Sequence, residues 1–547
     1  MTPKSIRFVA FILMLFLTGC AAAKGSVLPA SEQTQPSQSI DTPEMTATPG
    51  MNAADIRFYY SPEVPQAIRT QVKLPAGVTV VDDPAKANVT YGSIQAGKGE
   101  TQWVYALVAP FPTVQDDVAA ADLHAAWQGT GKSNVPLLVA PDTADLLATQ
   151  WGEPAGKAVQ QLPVDQLLTT AWDKQPSWAI VPFDELQPRW KVLSIDGASP
   201  LDRSMDLATY PLVMNFGLSG DSTAIQSLES FSKDGTFYLP ATNRELSKLT
   251  ILIMTGTTAL TRETAVVMDQ KGILYPASDI GDLLRSADIT HISNEVPFMQ
   301  NCPPTDPNGM KFCSKPEYMQ LLTDIHANVI ELTGNHEMDY GADALRYTLQ
   351  LYRDNHLSYY GGGEDQADAA KPLYVDDHGN HLAFIGCNSV GPESDWATQD
   401  QPGALRCDRD WLKTQIAAVK AAGYLPIVTF QSMETCDFVP SNFETGDMQA
   451  AAADGAVIVS GSQAHCPQTM TFDGDTFVHY GLGNLFFDQD DMLSGKSFID
   501  RHYIYDGQYI STQLLTIKLE DHAKPRFMTQ AERESLLSQI FAASEWQ

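Results

Sequence analysis

The chain has 547 residues, 44% of them hydrophobic and 18% charged, with a formal net charge of −31. The composition is that of a globular protein, and the length exceeds one ordinary core, so two or more domains are expected. Sequence-independent binding to nucleic acid, or a polybasic grip on anionic lipid, needs clustered Lys and Arg, and this charge balance argues against both.

The elements open with an export signature. Lys4 and Arg7 form a positive start, and Phe8 to Leu17 is an apolar run too short for an ordinary spanning helix. Leu17-Thr18-Gly19-Cys20 closes it and resembles the lipobox of bacterial lipoproteins. The resemblance implies that residues 1–20 are a signal peptide and that Cys20 is lipidated, tethering the protein to the outer face of a membrane in a bacterial envelope. An ordinary signal peptide with a chance cysteine is the competing reading. Residues 21–53 are rich in Ala, Ser, Thr, Pro and Gln with almost no aromatics, which predicts a disordered spacer.

Residues 54–235 read as a smaller α/β domain. Strand-like runs at 56–60, 103–108, 178–186 and 190–196 alternate with helical patterns such as the one carrying Leu123, Ala126 and Trp127. This order resembles a periplasmic solute-binding module, and the resemblance implies a ligand cleft near Thr113 and residues 196–203. A scaffold without a ligand is the alternative.

Residues 249–520 form the next predicted unit, opening on the buried-strand run Thr250-Ile251-Leu252-Ile253-Met254 and ending on a last strand at 511–519. Residues 521–547 are read as a C-terminal helix started by the capping box Thr529-Gln530-Ala531-Glu532. Without Cys20, six of the seven cysteines remain, an even number suited to disulfides in an oxidising compartment. Cys302 and Cys313 bracket a turn-rich loop and are expected to pair. The pairing of Cys387, Cys407, Cys436 and Cys466 stays open, with Cys387–Cys407 and Cys436–Cys466 preferred. No C-x-x-C spacing suggests a zinc site.

Polar residues recur where the strands of the 249–520 unit end. Thr257 to Arg262 follow the first strand, Ser293-Asn294-Glu295 another, and Gln431 to Glu434 the run Pro426–Phe430. Gly461 to His465 follow a further strand, and Gly481-Leu482-Gly483-Asn484 the next. The fullest of these stretches is Gly334-Asn335-His336-Glu337-Met338-Asp339-Tyr340-Gly341, between the buried run 329–333 and a helix bearing Leu345, Leu349 and Tyr352. In open α/β sheets such strand ends meet at a ligand crevice. His479 and His502, each beside apolar residues, read as core.

Taken together, Glu295, the 334–341 stretch, Glu434 with Pro440, 461–468 and Tyr480 to Asp488 resemble, in this order, the CapA family of capsule and poly-gamma-glutamate synthesis proteins. The resemblance implies a four-layer α/β/β/α metallophosphatase-like sandwich and a role in synthesis, export or attachment of an anionic capsular polymer. It implies catalytic roles for His336, Glu295, Glu434, His465 and Asp339. Arg262, Asn335, Gln463 and Asn484 would contact substrate, and one divalent metal ion would draw on Glu295, Asn335, His336, Glu434 and His465. The departures are Thr257 for an expected Asp, and Gln463 and His465 where the family has paired His. They leave open a non-catalytic polymer- or ligand-binding lipoprotein and a single-metal phosphoesterase or other hydrolase.

Overall fold

The computed structural model describes residues 50–94, 100–131, 135–304, 309–491, 493–544 and 546. The signal peptide, Cys20 and spacer residues 21–49 lie outside the described residues. From Gly50 onward the chain packs as one compact unit.

The first part is built on one mixed ten-stranded sheet. Its axis is Thr101–Pro110, buried on both faces from Trp103 to Ala109. Such a strand needs neighbours on every side. It pairs antiparallel with Val213–Gly220, Trp178–Pro182 and Trp190–Ile195.

Two sheets carry the second part. One runs in the order Ser358–Tyr360, Val329–Glu331, Ile289–Asn294, Leu249–Thr258, Lys496–Tyr505, Gln508–Glu520, Lys524–Phe527, its first four strands parallel and the rest antiparallel. The other runs Leu373–Asp377, Asn380–Asn388, Leu425–Gln431, Ile458–Ser462, Thr476–His479, Met470–Asp473. Alternation along each strand sets the layers, because successive side chains point to opposite faces. Leu252 and Met254 meet Phe384, Ile427, Ile458 and Phe477 between the sheets. Ile253, Ile292 and Ile330 face outward onto Leu284, Leu322, Leu345 and Leu349 of covering helices. On the far side Ile385, Val428 and Val459 pack against Ile416, Val419, Met448 and Ala451. The result is the expected α/β/β/α sandwich after a mixed α/β part.

The two parts share core. Leu249, Ile251, Tyr503 and Tyr505 join the hydrophobic cluster of the first part, and Phe111 joins the inter-sheet cluster with Leu536, Leu537 and Ile540 of the terminal helix Gln530–Ala543. The predicted capping box at Thr529 and Glu532 is formed. Arg203 pairs with Asp288 through both terminal nitrogens, at 2.7 and 2.6 Å, and also donates to the carbonyl of Leu249.

Three corrections concern strands. The strand at 511–519 extends over Gln508–Glu520 and is not the last, since Lys524–Phe527 follows at the sheet edge, where Pro525 is tolerated. Lys496–Tyr505 escaped the sequence pattern because Asp500, Arg501 and His502 break its apolar run. Inside the fold Asp500 pairs with His479 at 2.6 Å and His502 with Thr512 at 2.6 Å, which is how the strand tolerates them. Ser293 and Asn294 belong to their strand rather than to the loop after it. All three cysteine pairings, Cys302–Cys313, Cys387–Cys407 and Cys436–Cys466, are present as disulfides.

Candidate functional site

Strand ends from both sheets deliver polar side chains to one edge of the sandwich. Glu295, just past Ile289–Asn294, is buried, and so is His465 in the turn after Ile458–Ser462. Their Oε1 and Nε2 atoms stand 3.9 Å apart. The 334–341 loop reaches this edge because Gly334 lacks a side chain: a Cβ there would lie 2.8 Å from the Cα of Glu295. Gly341 closes the loop at φ 80°, a conformation that favours glycine, and the helix Ala342–Asp354 begins.

Gln431 ties the sheets together. Its Nε2 donates to Glu295 Oε1 at 3.3 Å and to Asn335 Oδ1 at 3.1 Å, and its Oε1 accepts from the Ser462 hydroxyl at 2.7 Å. Ser462 also lies 3.3 Å from Oε1 of Glu331, a fully buried carboxyl whose pKa burial raises against the nearby hydroxyl donors.

The two histidines are held differently. The Asn484 amide donates to the carbonyls of His465, Gln489 and Ser494, which fixes its Oδ1 toward Nδ1 of His465 at 2.8 Å. An amide oxygen only accepts, so His465 carries its proton on Nδ1 and, when neutral, turns the Nε2 lone pair toward Glu295. In the loop, Nδ1 of His336 donates to Asp339 at 2.9 Å, and the same carboxylate accepts from the Phe312 backbone at 2.6 Å. Burial works against a charged His336, but the Asp339 hydrogen bond and the charges of Glu295, Asp339 and Asp395 outweigh it and raise the pKa above the ordinary value.

Two further carboxyls bear on this loop, Asp395 and its own Glu337. Glu337 is fully buried with no hydrogen-bond partner for either oxygen among the described residues. Burial, then the charges of Asp395, Glu295 and Asp339, push its pKa well up and favour its neutral form. Asp395 is raised to about 7, chiefly by burial and by Asp339.

Arg262 lies between two aromatic rings, 5.7 Å from the Phe312 centroid and 5.4 Å from that of Phe487. Those rings also meet the histidines, Phe312 with His336 at 4.6 Å and Phe487 with His465 at 5.3 Å. The Arg262 Nε pairs with Asp488 at 3.1 Å, while its terminal nitrogens have no hydrogen-bond partner among the described residues.

The structure thus brings together Glu295, Asn335, His336, Asp339, His465, Asn484 and, on the rim, Arg262. Gln463 is buried beside His465, at φ 75°, its Oε1 without a partner among the described residues. Glu434 does not join them: it is exposed on the loop after Leu425–Gln431 and makes no hydrogen bond or ion pair among the described residues. Sequence reasoning named Gln431 and Glu337 only as parts of their stretches, with no role in the site, and did not single out Asp395. Gln431 was visible as the last residue of a buried strand, whereas nothing local marks Asp395. His479 and His502 are core, as expected.

The donor set bears on the implied metal. Glu295 Oε1 and the His465 Nε2 lone pair face each other in a buried edge with Asn335 Oδ1 nearby, a donor set with room for one cation at most, in competition with the Gln431 amide. A two-cation centre does not fit. Asp339 is committed to His336 and Phe312, and a Gln431 amide donor faces the oxygens of Glu295 and Asn335. Among the described residues the three-group cluster of metal-ligating side chains is elsewhere, Asp288, Asp377 and His378, at the opposite end of the strand from Glu295. Its Asp288 is already held by Arg203 and the Ile251 backbone.

A family model described as bacterial capsule synthesis protein PGA_cap matches residues 251–489. The chain is 25% identical over 300 residues to the capsule biosynthesis protein CapA of Bacillus anthracis, covering 53% of this chain and 72% of that protein. It is 25% identical over 237 residues to the PGA biosynthesis protein CapA of Bacillus subtilis, covering 43% and 62%. Among solved structures, a 5'-nucleotidase precursor from Thermus thermophilus overlaps at TM-score 0.30 and 10% identity, covering 54% of this chain and 58% of that one. An ABC-type phosphate transport receptor from Vibrio cholerae overlaps at TM-score 0.26 and 12% identity, covering 34% and 99%.

Proposed function

Because residues 251–489 form a capsule-synthesis domain of the CapA family, we propose that this chain is a lipid-anchored envelope protein. It acts on an anionic capsular polymer, poly-gamma-glutamate or a polysaccharide, during its synthesis, export or attachment. Cys20 is the anchor in this reading; no helix among the described residues is long and apolar enough to cross a membrane. The observation that carries the polymer role is the edge where Glu295, Asn335, His336, Gln431 and His465 converge beside Arg262.

Each group has a part in that reading. Arg262, pre-oriented between two rings with terminal N–H groups unpaired among the described residues, receives a carboxylate or other anionic group of the polymer. His336, with Nδ1 on Asp339 and a raised pKa, presents a proton at Nε2 to an anionic or leaving oxygen. Glu295 accepts a proton from water or from a polymer amine, steadied by Gln431. When bound by Glu295 and His465, a divalent ion would supply Lewis-acid polarisation of a substrate oxygen.

A polymer-binding role without catalysis is the second reading. The Gln431 amide donor, which already occupies the oxygens of Glu295 and Asn335 that a cation would need, favours it. One experiment separates them: full-length protein is incubated with poly-gamma-glutamate and with capsular polysaccharide, following both co-sedimentation and chain length. Binding weakened about tenfold by Arg262→Gln is expected, since a charged hydrogen bond is worth roughly 1.5–3 kcal/mol. Chain shortening abolished by Glu295→Gln establishes catalysis, and binding without shortening establishes the second reading. If the wild-type protein neither binds nor shortens either polymer, both fail.

A further inference from the structure

Away from that edge, a small cavity of about 80 Å³ lies where the first part, the sheet carrying Gln508–Glu520 and the terminal helix meet. Its walls include Lys191, Asp116 and Ser199 from the first part, Ser511 to Leu514 from the strand Gln508–Glu520, and Arg533 from the helix. No one of these elements forms it alone.

Two cations converge here on one carboxylate. Lys191 Nζ lies 2.7 Å from Asp116, and Arg533 forks onto the same group through Nε at 2.6 Å and Nη2 at 2.8 Å. The wall therefore carries one net positive charge in a chain whose formal charge is −31. Lys191 spends its other protons on the carbonyls of Thr113 and Val114, and Arg533 Nη1 donates to Leu514. That leaves N–H groups on the two terminal nitrogens of Arg533 without an acceptor among the described residues. The Ser199 oxygen accepts from the Leu201 backbone at 3.3 Å, so its O–H is free to donate. Burial, helped by the nearby Arg533 charge, depresses the Lys191 pKa to about 8 despite Asp116.

The rest of the wall is hydrocarbon, from Phe111, Leu201, Leu514, Leu537 and Phe541. A cavity of roughly 150 Å³ admits benzene, so this one of about 80 Å³ has no room for a ring and suits a short unbranched group. A fully hydrated multivalent anion would be stripped of water against apolar walls, whereas a carboxylate with a short alkyl tail matches both halves. We propose that this composite cavity binds a small monocarboxylate, its oxygens on Arg533 and Ser199 and its tail against Leu537 and Phe541.

The test uses the full chain and follows thermal unfolding and calorimetry with sodium propionate, against phosphate and chloride at matched ionic strength. Saturable one-to-one propionate binding is expected, weakened at least tenfold in Ser199→Ala and in Arg533→Gln, and abolished in Leu537→Trp, which fills the space. Should Arg533→Gln fail to fold, Ser199→Ala and Leu537→Trp decide. Absence of propionate binding, equal binding of phosphate, or undiminished binding in Leu537→Trp would overturn the assignment. The polymer reading of the other edge stands or falls separately, because its readouts use Arg262 and Glu295.

Discussion

Replacing Asp339 by Asn tests how the central loop sets the charge of His336. The substitution keeps the shape and one acceptor oxygen but removes the negative charge 2.9 Å from Nδ1 of a mostly buried ring. An opposite charge at this range raises a histidine pKa by about 1–3 units, each worth about 1.36 kcal/mol. Without it burial dominates, and the His336 pKa is expected to fall below the ordinary 6.5. The sign for stability follows. A raised folded pKa contributes stability that is fully present below the unfolded pKa near 6.5 and is lost as pH rises through the folded value. Asp339→Asn should therefore destabilise by about 1.4–4 kcal/mol at pH 5 to 6, and by less at pH 8 and above. Imidazole titration by NMR on chelator-treated protein, with urea melts at several pH values, reads both quantities. An unchanged His336 titration, or a loss of stability that grows with pH, would refute the reasoning.

Other outcomes follow from the same geometry. Metal analysis after loading should find no more than one divalent ion per chain, lost in Glu295→Gln and in His465→Ala; two ions would contradict the donor set described here. Glu337→Gln should stabilise the protein at pH 7 and above by on the order of 1–3 kcal/mol and leave it unchanged near pH 4. The reason is that the buried carboxyl keeps its proton in the fold, while the unfolded chain releases it above about 4.5; equal stability of the two proteins in melts at pH 8 would count against this. Gly334→Ala should cost about 1–3 kcal/mol, since its Cβ would meet the Glu295 backbone at 2.8 Å, and a melt within error of wild type would contradict that approach. Cys20→Ala should release the protein from membranes in cell fractionation, and a variant that stays bound would remove the anchor.

Much of the site was legible in the order of short motifs. The 334–341 stretch was readable because its glycines, turn and following helix are local features, and the placement of Glu295, Arg262 and Asn484 followed from strand ends meeting at one edge. Glu434 and Gln431 show where such reading stops. They are three residues apart, yet the strand carries Gln431 into the cluster and the next turn leaves Glu434 in solvent. Which of two neighbours points inward depends on where the strand ends, and local pattern sets that only to within a few residues.

Period, turn chemistry and composition by themselves determined the mixed α/β class, the capped terminal helix and the Cys302–Cys313 pair, because each rests on residues close in sequence or on simple counts. Tertiary structure alone decided the rest. It made a buried strand of Lys496–Tyr505 by pairing Asp500 with His479, and it placed Asp395 within electrostatic reach of His336 across more than fifty residues of chain. It also built a cavity from Lys191 and Arg533, which nothing in their local sequence connects. Charges and polar groups are expensive to bury alone, so their partners are chosen by the whole fold and not by their neighbours in the chain.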